Sequence, residues 1–376
     1  MIKNYQKVFF TNTNQSNNTI PYYILNFNKF FEKLLRITKK KYAISTKIYR
    51  TSKVAIIIDN KVNSIYADWF KNTLDKFNYI GIDATEPQKS YQEVEPVINS
   101  LIEKGFRKNH RLIAIGGGIT QDVTAFIASI LYRGVKWSFF PTTLLAQGDS
   151  CIGSKTSINF GKFKNQVGGF YPPNKIYVDP KFLDSLPERE LQSGLGEMAH
   201  YFVVAGEEDF ERFKKDYPQA LNDMKVLKGI IARSLEIKKS YIEIDEYDKN
   251  ERQVFNYGHS FGHAIESLVS YSIPHGISVS FGMDMSNYVS MKKGYITQEV
   301  RQNSRELFEK IWHGYSDQVK SLDIDTYLNA LSKDKKNKGP LLGLILNKGY
   351  GKVFKDFTAN DIIFKTWIEE YFASEL

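Results

Sequence analysis

The sequence predicts an α/β amino-terminal domain with a parallel, Rossmann-like sheet, followed by a mainly α-helical carboxyl-terminal domain. In the first half, short β-branched apolar segments at residues 54–58 and 112–115 are each bounded by turn residues. They alternate with amphipathic segments at 91–104 and 122–130. This alternation is the βαβ rhythm of an open parallel sheet, because each strand needs a crossover helix before the next parallel strand.

The second half lacks that rhythm. Strand patterns become rare after about residue 186, and long helical periodicities occupy residues 188–202 and 224–244. The change falls in a proline-bounded stretch at 180–187, so we expect a domain of residues 1–185 and a second of residues 186–376. The polar stretch 10–20 is typical of a loop or mobile arm.

Length and composition narrow the class of protein. A chain of 376 residues fits two domains, and 42% hydrophobic with 25% charged residues excludes collagen, disorder and coiled coil. A single cysteine, Cys151, cannot form an intramolecular disulfide, which favours a reducing, cytoplasmic location. The amino terminus lacks the apolar core of a signal peptide, and no apolar stretch approaches the roughly 20 residues of a membrane span. We therefore expect a soluble protein without a membrane partner.

The formal charge of +9 favours an anionic ligand, a nucleic acid or an acidic surface, without choosing among them. Nucleic-acid binding usually interleaves basic residues with stacking aromatic residues on one surface. No such motif is visible in the sequence, so we expect no nucleic-acid partner and a small anionic substrate instead.

A glycine-rich turn follows the apolar segment 112–115. Gly116, Gly117 and Gly118 precede a predicted helix, where small residues let a pyrophosphate approach the backbone and the free N–H groups of the helix. A tight strand-to-helix turn without a ligand is the alternative. The spacing is not GxGxxG, so the standard dinucleotide fingerprint is not established.

A basic constellation follows the segment 141–149. Lys155 lies among glycine, serine and threonine, and Lys164 and Asn165 come shortly after it. Such residues can hold phosphate or carboxylate oxygens with both charge and hydrogen bonds. A basic surface loop is the alternative, and the glycine spacing before Lys155 is wrong for a P-loop.

Histidines provide the strongest chemical signal. His259 and His263 are four residues apart and share one face of a helix, provided that the adjacent glycines do not break it. His275 follows after a span in which a helix can end and the chain can turn back, and Glu197 lies in another apolar helical segment. One glutamate and two histidines with an open position form a common catalytic zinc site. The alternative is that these are hydrogen-bonded core histidines.

Taken in order, these segments resemble 3-dehydroquinate synthase and the wider sugar phosphate cyclase family. The resemblance covers most of residues 54–345 and implies a fold with an NAD-binding α/β domain, a helical metal-binding domain and an active site in the cleft between them. The remaining segments that carry it are 86–89, 133–134, 186–190, 252–263, 274–276 and 334–336.

The resemblance also implies the ligands of the cofactors. A divalent metal, zinc or cobalt, would be held by Glu197, His259 and His275. The implied NAD contacts are Asp59, Glu86, Lys89, Gly117, Gly118, Asp122, Thr142, Thr143 and Glu190.

The implied substrate is a small sugar phosphate, and the implied assembly is a homodimer in which Arg133 reaches the neighbouring subunit's site. The lysine of the 334–336 segment is either Lys335 or Lys336. The implied substrate contacts are Asp149, Lys155, Asn165, His200, Lys238, Arg252, Asn256, His263 and Lys335 or Lys336.

The chemistry implied by the resemblance is a phosphate-eliminating, carbocycle-forming lyase reaction. NAD⁺ removes a hydride from a metal-bound alcohol, the new ketone acidifies the adjacent C–H, and phosphate leaves by elimination. NADH then returns the hydride, the ring opens and an intramolecular aldol step closes a carbocycle. Because NAD is regenerated in each turnover, no net redox change is expected.

Lys238 and Arg252 match the positions that contact the carboxylate of 3-deoxy-D-arabino-heptulosonate 7-phosphate, which favours dehydroquinate synthesis. Three residues depart from the family pattern: His200 replaces a lysine, Gln121 a glycine and Ile277 a glutamate. The alternatives are therefore a sister cyclase, acting on sedoheptulose 7-phosphate or glucose 6-phosphate, or an enzyme with altered activity. A metal-dependent polyol or alcohol dehydrogenase is a remote alternative that the lysine set disfavours.

Overall fold

The computed structural model describes residues 8–9, 53–70, 74, 77–161 and 163–376. The chain divides into two compact units, residues 1–186 and 187–376. The polar stretch 10–20, predicted to be a loop or arm, lies outside the described residues.

The described strands of the first unit are β1 (Val8–Phe9), β2 (Val54–Asp59), β3 (Asn78–Ile82), β4 (Arg111–Gly116), β5 (Lys136–Pro141), β6 (Lys155–Phe160), β7 (Phe163–Phe170) and β8 (Lys175–Tyr177). Six of them form a parallel sheet with strand order β1-β8-β5-β4-β2-β3, and β6 and β7 form a separate antiparallel hairpin. The predicted strands 54–58 and 112–115 are confirmed as β2 and β4, which pair with Ile57 opposite Ala114.

Helices of the first unit are α1 (Asn60–Ile65), α2 (Ala67–Phe70), α3 (Tyr91–Glu103) and α4 (Gly118–Ile130). The two longer ones confirm the predicted amphipathic segments 91–104 and 122–130. α4 begins four residues earlier than predicted, because the backbone of Gly117 is extended and the helix starts directly on the glycine turn.

The second unit is mainly helical, as the sequence predicts. Two of its helices, which span residues 188–205 and 224–244, confirm the predicted segments 188–202 and 224–244. Its elements are α5 (Glu188–Ala205), α6 (Glu207–Ala220), α7 (Met224–Ile244), α8 (His259–Leu268), α9 (His275–Lys292), α10 (Gln298–Trp312), α11 (Ser316–Lys320), α12 (Ile324–Ser332), β9 (Leu341–Asn347), β10 (Val353–Ala359) and α13 (Ile362–Ser374).

Helix α9 is the centre of the second unit. Every residue from Gly276 to Ser290 is buried, as expected for a helix surrounded by other elements. The close approach of α9 to α5 and α8 requires glycine at two positions of α9. A Cβ on Gly276 would lie 1.8 Å from the Ser193 carbonyl oxygen, and one on Gly282 would lie 1.9 Å from the Gly258 carbonyl oxygen. These contacts place α9 directly against the backbone of α5 and against the residue that precedes α8.

A buried ionic network joins α9, α10 and α13. The Asp284 carboxylate, which is fully buried, accepts hydrogen bonds from Arg301 at 2.9 Å, Arg305 at 2.6 Å and the Tyr371 hydroxyl at 2.8 Å. The two arginines and the hydroxyl compensate the buried negative charge of Asp284. Because the donors come from α10 and α13, the network determines how these helices pack against α9. None of the helices in the described part of the chain is long and apolar enough to cross a membrane.

Candidate metal and cofactor sites

Three helices of the second unit bring the predicted metal ligands together. Glu197 lies within α5, whereas His259 and His275 are the first residues of α8 and α9. Glu197 Oε1 is 3.4 Å from His259 Nε2, and Glu197 Oε2 is 3.3 Å from His275 Nε2. Gly258 immediately precedes α8 with a left-handed φ of 80°, and this turn lets the helix begin at His259.

The electrostatics of this cluster are strongly coupled. Burial would raise the pKa of Glu197, yet His259 and His275 outweigh it and hold that pKa well below its usual value. Burial likewise disfavours the charged form of His275, but the carboxylates of Glu266 and Glu197 raise its pKa well above the usual value. An anionic glutamate therefore faces two imidazoles at close range.

The donor set fits a divalent metal. One carboxylate oxygen and two imidazole nitrogens lie within 4.8 Å of one another, and the glutamate is only 4% exposed. Three nitrogen and oxygen ligands leave a fourth coordination position for a substrate or water, which distinguishes catalytic from structural zinc sites.

His263 and one lysine lie beside this cluster. The His263 ring is 5.4 Å from that of His259 and 5.5 Å from that of His275. Burial and the nearby cationic groups, including Lys336, hold the pKa of His263 well below its usual value. Lys336 is half-buried and lies 2.7 Å from Asp334, whereas Lys335 is exposed. Of the two lysines that the sequence left open, Lys336 is thus the one near the histidines.

Two buried cations lie in the same unit. Lys238 is on α7, with Nζ 5.9 Å from the centroid of the Tyr201 ring. Arg252 lies in a short 3₁₀ helix that also contains Asn256, and its guanidinium donates to the Glu246 carbonyl at 2.8 Å. The backbone N–H of Arg252 also donates to Asp245 Oδ2 at 3.2 Å. The role of both cations in carboxylate binding stays a prediction.

The residues that depart from the family pattern have defined environments. His200 lies one turn after Glu197, is 1% exposed and packs against Tyr201 and Phe255. Ile277 is fully buried in α9. Gln121 turns its amide towards Ser150: its Nε2 donates to the Ser150 carbonyl at 2.6 Å, and the Ser150 hydroxyl donates to its Oε1 at 2.7 Å.

The glycine turn of the first unit fits a dinucleotide. Gly118 is the first residue of α4, and in the described part of the chain no atom beyond its chain neighbours and its own helix backbone lies within 4 Å of where its Cβ would be. Thr142 and Thr143 follow β5 beside this turn, with the Thr142 N–H donating to the Gly116 carbonyl at 2.9 Å. Open space at the amino terminus of a 13-residue helix matches what a pyrophosphate requires.

Further predicted NAD contacts form a polar network with the β6–β7 hairpin. Lys89 Nζ is 2.5 Å from Asp122 and donates to Asn165 Oδ1 at 2.7 Å. Glu86 accepts a hydrogen bond from Asn159 at 2.8 Å. Burial raises the pKa of Asp122, although Lys89 opposes this shift.

The other predicted residues are more dispersed. Asp59 caps α1 at the end of β2, and Glu190 lies in the first turn of α5, in the second unit. Lys155 begins β6 and Asp149 lies in a five-residue π-helical segment, Ala146–Ser150. Arg133 is exposed in a short 3₁₀ helix. The roles of these residues stay predictions.

Two polar residues of these sites were missed by sequence reasoning. Asn159 Oδ1 accepts the backbone N–H of Asn165 at 2.9 Å, and no sequence signal distinguishes it from other strand asparagines. Glu266 lies 3.0 Å from His275 Nδ1. Its spacing of three residues from His263 was the only available signal, since it places both on one helix face.

Comparisons with known proteins identify both units. The sequence model for the amino-terminal part of 3-dehydroquinate synthase matches residues 79–193, and that for the carboxyl-terminal part matches residues 194–337. The chain is 35% identical to a 3-dehydroquinate synthase from Alkaliphilus metalliredigens, over 80% of this chain and 85% of that protein. It is 33% identical to a bifunctional 3-dehydroquinate synthase/phosphatase from Fusobacterium nucleatum, over 85% of this chain but only 48% of that relative.

Solved structures share the fold. The TM-score is 0.74 with a 2-epi-5-epi-valiolone synthase from Streptomyces hygroscopicus with NAD⁺ and Zn²⁺ bound, at 24% identity and covering 87% of this chain and 92% of that one. It is 0.73 with a 2-deoxy-scyllo-inosose synthase complexed with carbaglucose-6-phosphate, NAD⁺ and Co²⁺, at 22% identity and covering 89% and 94%. These likenesses confirm the predicted fold class.

Proposed function

The chain belongs to the 3-dehydroquinate synthase family, and from this premise we propose that it is an NAD- and divalent-metal-dependent sugar phosphate cyclase. The proposed reaction converts 3-deoxy-D-arabino-heptulosonate 7-phosphate into 3-dehydroquinate and phosphate, which makes the enzyme a phosphorus–oxygen lyase. The observation that carries the proposal is the cluster of Glu197, His259 and His275, within 4.8 Å of one another.

Glu197, His259 and His275 would hold the metal, and Gly117, Gly118 and the amino terminus of α4 would hold the pyrophosphate of NAD. When bound, NAD supplies a reversible hydride acceptor and the divalent metal supplies a Lewis acid for a substrate hydroxyl.

The surrounding side chains bind and orient the sugar phosphate. His263 and Lys336 lie beside the metal ligands, where an imidazole and an ammonium can hydrogen-bond to phosphate or hydroxyl oxygens. Lys238 and Arg252 are buried cations, and the planar guanidinium of Arg252 matches a carboxylate with two parallel hydrogen bonds. The carboxylate-bearing heptulosonate is therefore the substrate that this residue set favours.

A sister cyclase is the second candidate, and His200 is the observation that favours it. An imidazole with 1% exposure stands at the position where the family resemblance implies a lysine. A neutral ketose phosphate, such as sedoheptulose 7-phosphate, would need one fewer cation than a heptulosonate phosphate.

The test compares both substrates with the same preparation. The zinc-loaded protein and catalytic NAD⁺ are incubated with 3-deoxy-D-arabino-heptulosonate 7-phosphate or with sedoheptulose 7-phosphate, and released phosphate, product mass and NADH are followed. We expect phosphate from the first substrate alone, a product with the mass of dehydroquinate, and no accumulated NADH. Release from the second substrate alone would instead favour the sister cyclase.

Arg252→Ala tests the carboxylate assignment. We expect loss of at least about 100-fold in kcat/KM with the heptulosonate phosphate, because one bidentate charged pair is lost. Lys249→Ala is the matched control, since Lys249 is an exposed cation three residues away. Equal activity of the two variants would contradict a substrate carboxylate at Arg252.

A further inference from the structure

Glu266 is a buried carboxylate that the proposed reaction does not use. It lies near the end of α8, the helix that begins with His259, and is 8% exposed. A carboxylate is rarely buried without a donor, because leaving it unpaired in the interior costs several kcal/mol. The donor here is a histidine of the candidate metal site.

His275 offers a different ring nitrogen to each of two carboxylates. Its Nδ1 lies 3.0 Å from Glu266 Oε2, and its Nε2 lies 3.3 Å from Glu197 Oε2. A neutral imidazole carries one N–H, and the nitrogen that bears it cannot bind a metal. With a metal bound at Nε2, a carboxylate acceptor at Nδ1 would keep the one remaining ring proton there, so that the Nε2 lone pair is available to the ion.

We propose that Glu266 is a positioning residue of the metal site: by accepting the Nδ1–H of His275, it fixes the tautomer and ring orientation in which Nε2 binds the metal. This inference rests on the proposed metal site. Glu266 and His259 are on the same helix, so α8 supplies one ligand directly and orients another that belongs to α9. Such carboxylate–histidine–metal arrangements commonly change metal affinity by about 10- to 100-fold.

The same residues suggest a competing arrangement. His263, Glu266 and His275 also place three ligand atoms within 4.8 Å of one another. If Glu266 bound a second ion directly, His275 Nδ1 would be a ligand rather than a hydrogen-bond donor. The 3.0 Å separation between Glu266 and His275 Nδ1 is hydrogen-bond distance, which favours the positioning role.

The experiment measures metal binding without substrate. Glu266→Gln and Glu266→Ala are compared with the parent protein by chelator competition for Zn²⁺, by the visible spectrum of Co²⁺, and by metal stoichiometry. Ser267→Ala is the matched control, since Ser267 is the next residue of α8, is exposed, and has its hydroxyl bonded to the Ala264 carbonyl. Thermal melting of the metal-free proteins reports whether the fold itself is affected.

We expect one ion per chain throughout, Zn²⁺ affinity about 10-fold weaker in Glu266→Gln and about 100-fold weaker in Glu266→Ala, and an altered Co²⁺ spectrum. The loss is smaller in Glu266→Gln than in Glu266→Ala because the glutamine amide still accepts the Nδ1–H, although it lacks the negative charge. In the metal-free protein, Glu266→Gln removes a charge partner of His275 but keeps the hydrogen bond, so the free energy of unfolding should fall by less than the free energy of Zn²⁺ binding does.

Affinities within twofold of the parent would overturn the proposal. Two ions in the parent and one in the variants would make Glu266 a ligand. A fall in metal-free stability as large as the loss of Zn²⁺-binding free energy would make its role structural. Failure of both sugar phosphates to react would affect only the proposed function, because metal binding is measured separately.

Discussion

Gln121 and Ser150 form a reciprocal pair within the first unit. Both atoms of the Gln121 amide are used: Nε2 donates to the Ser150 carbonyl, and Oε1 accepts from the Ser150 hydroxyl. Ser150 ends the π-helical segment Ala146–Ser150, which contains the predicted substrate residue Asp149. Single π-helical turns are uncommon and frequently occur at functional sites. The two hydrogen bonds of this pair therefore connect the π-helical segment to α4.

A double-mutant cycle tests this pair. We expect Gln121→Ala and Ser150→Ala each to lower the free energy of unfolding by about 1–2 kcal/mol, with a coupling energy of about 1 kcal/mol for the shared hydrogen bond. Denaturant unfolding gives the values. Ser129→Ala, on the same helix and bonded to Phe126, should combine additively with Ser150→Ala. Full additivity for Gln121 and Ser150 would show that the hydrogen bond from the Ser150 hydroxyl to Gln121 Oε1 contributes nothing to stability.

Individual site residues were predictable to different degrees. The four-residue spacing of His259 and His263 was sufficient to place these two rings on one helix face. No periodicity extends to His275, which begins another helix, so sequence could say only that the chain has room to turn back before it. The choice between Lys335 and Lys336 was not predictable, since adjacent residues of a turn differ only in the direction that the folded chain gives them. Glu266 was missed because a buried and an exposed helical glutamate look alike in sequence.

At the scale of elements, the candidate metal site depends on how closely three helices approach. Gly282 of α9 faces the Gly258 carbonyl, and Gly258 immediately precedes His259. A methyl group at position 282 would lie 1.9 Å from that backbone oxygen, so α8 and α9 would have to separate. Backbone atoms cannot move aside as a flexible side chain can, and the displacement would reach His259.

We expect Gly282→Ala to lower the free energy of unfolding by about 3 kcal/mol or more and to weaken Zn²⁺ binding, because overpacking in a close-packed core forces backbone shifts. Gly229→Ala is the matched control. Gly229 lies within α7 and is exposed, and among the residues that the structure describes no atom outside its two chain neighbours and its own helix backbone lies within 4 Å of where its Cβ would be. That substitution should stabilise by about 0.5–1 kcal/mol. Denaturant unfolding measures the stability of both variants, and chelator competition measures their Zn²⁺ affinity. A Gly282→Ala variant with the stability and Zn²⁺ affinity of the parent protein would contradict the packing argument.

Hydrophobic periodicity in the sequence predicted most of the long helices and strands, whereas it did not predict the short ones. The strands around residues 54–58 and 112–115 are continuous apolar runs because parallel strands are covered on both faces. The hairpin β9–β10 in the second unit was not predicted. Its second strand alternates only partly between exposed and buried residues, and short strands among helices give a weak period-two signal.

At the scale of the whole molecule, Arg133 bears on the predicted homodimer. Tyr132 and Arg133 both have left-handed backbone conformations, with φ of 51° and 60°. Each costs about 1–2 kcal/mol for a residue with a side chain. The Tyr132 hydroxyl offsets part of this cost by donating to the Phe106 carbonyl at 3.0 Å. Retained strain at an exposed arginine is consistent with a functional constraint on where its side chain points.

If Arg133 acts in the neighbouring subunit's site, two inactive variants should complement each other. Arg133→Ala and His259→Ala are each expected to be nearly inactive, the first for lack of the arginine and the second for lack of a metal ligand. In a mixed dimer, one site combines the intact His259 of one chain with the intact Arg133 of the other. Co-expression at equal levels should therefore restore about a quarter of the parent activity, since half of the dimers are mixed and half of their sites are complete. Purified homodimers of each variant, assayed alone, are the controls. Mixed dimers without recovered activity would place Arg133 in its own chain's site or outside any site.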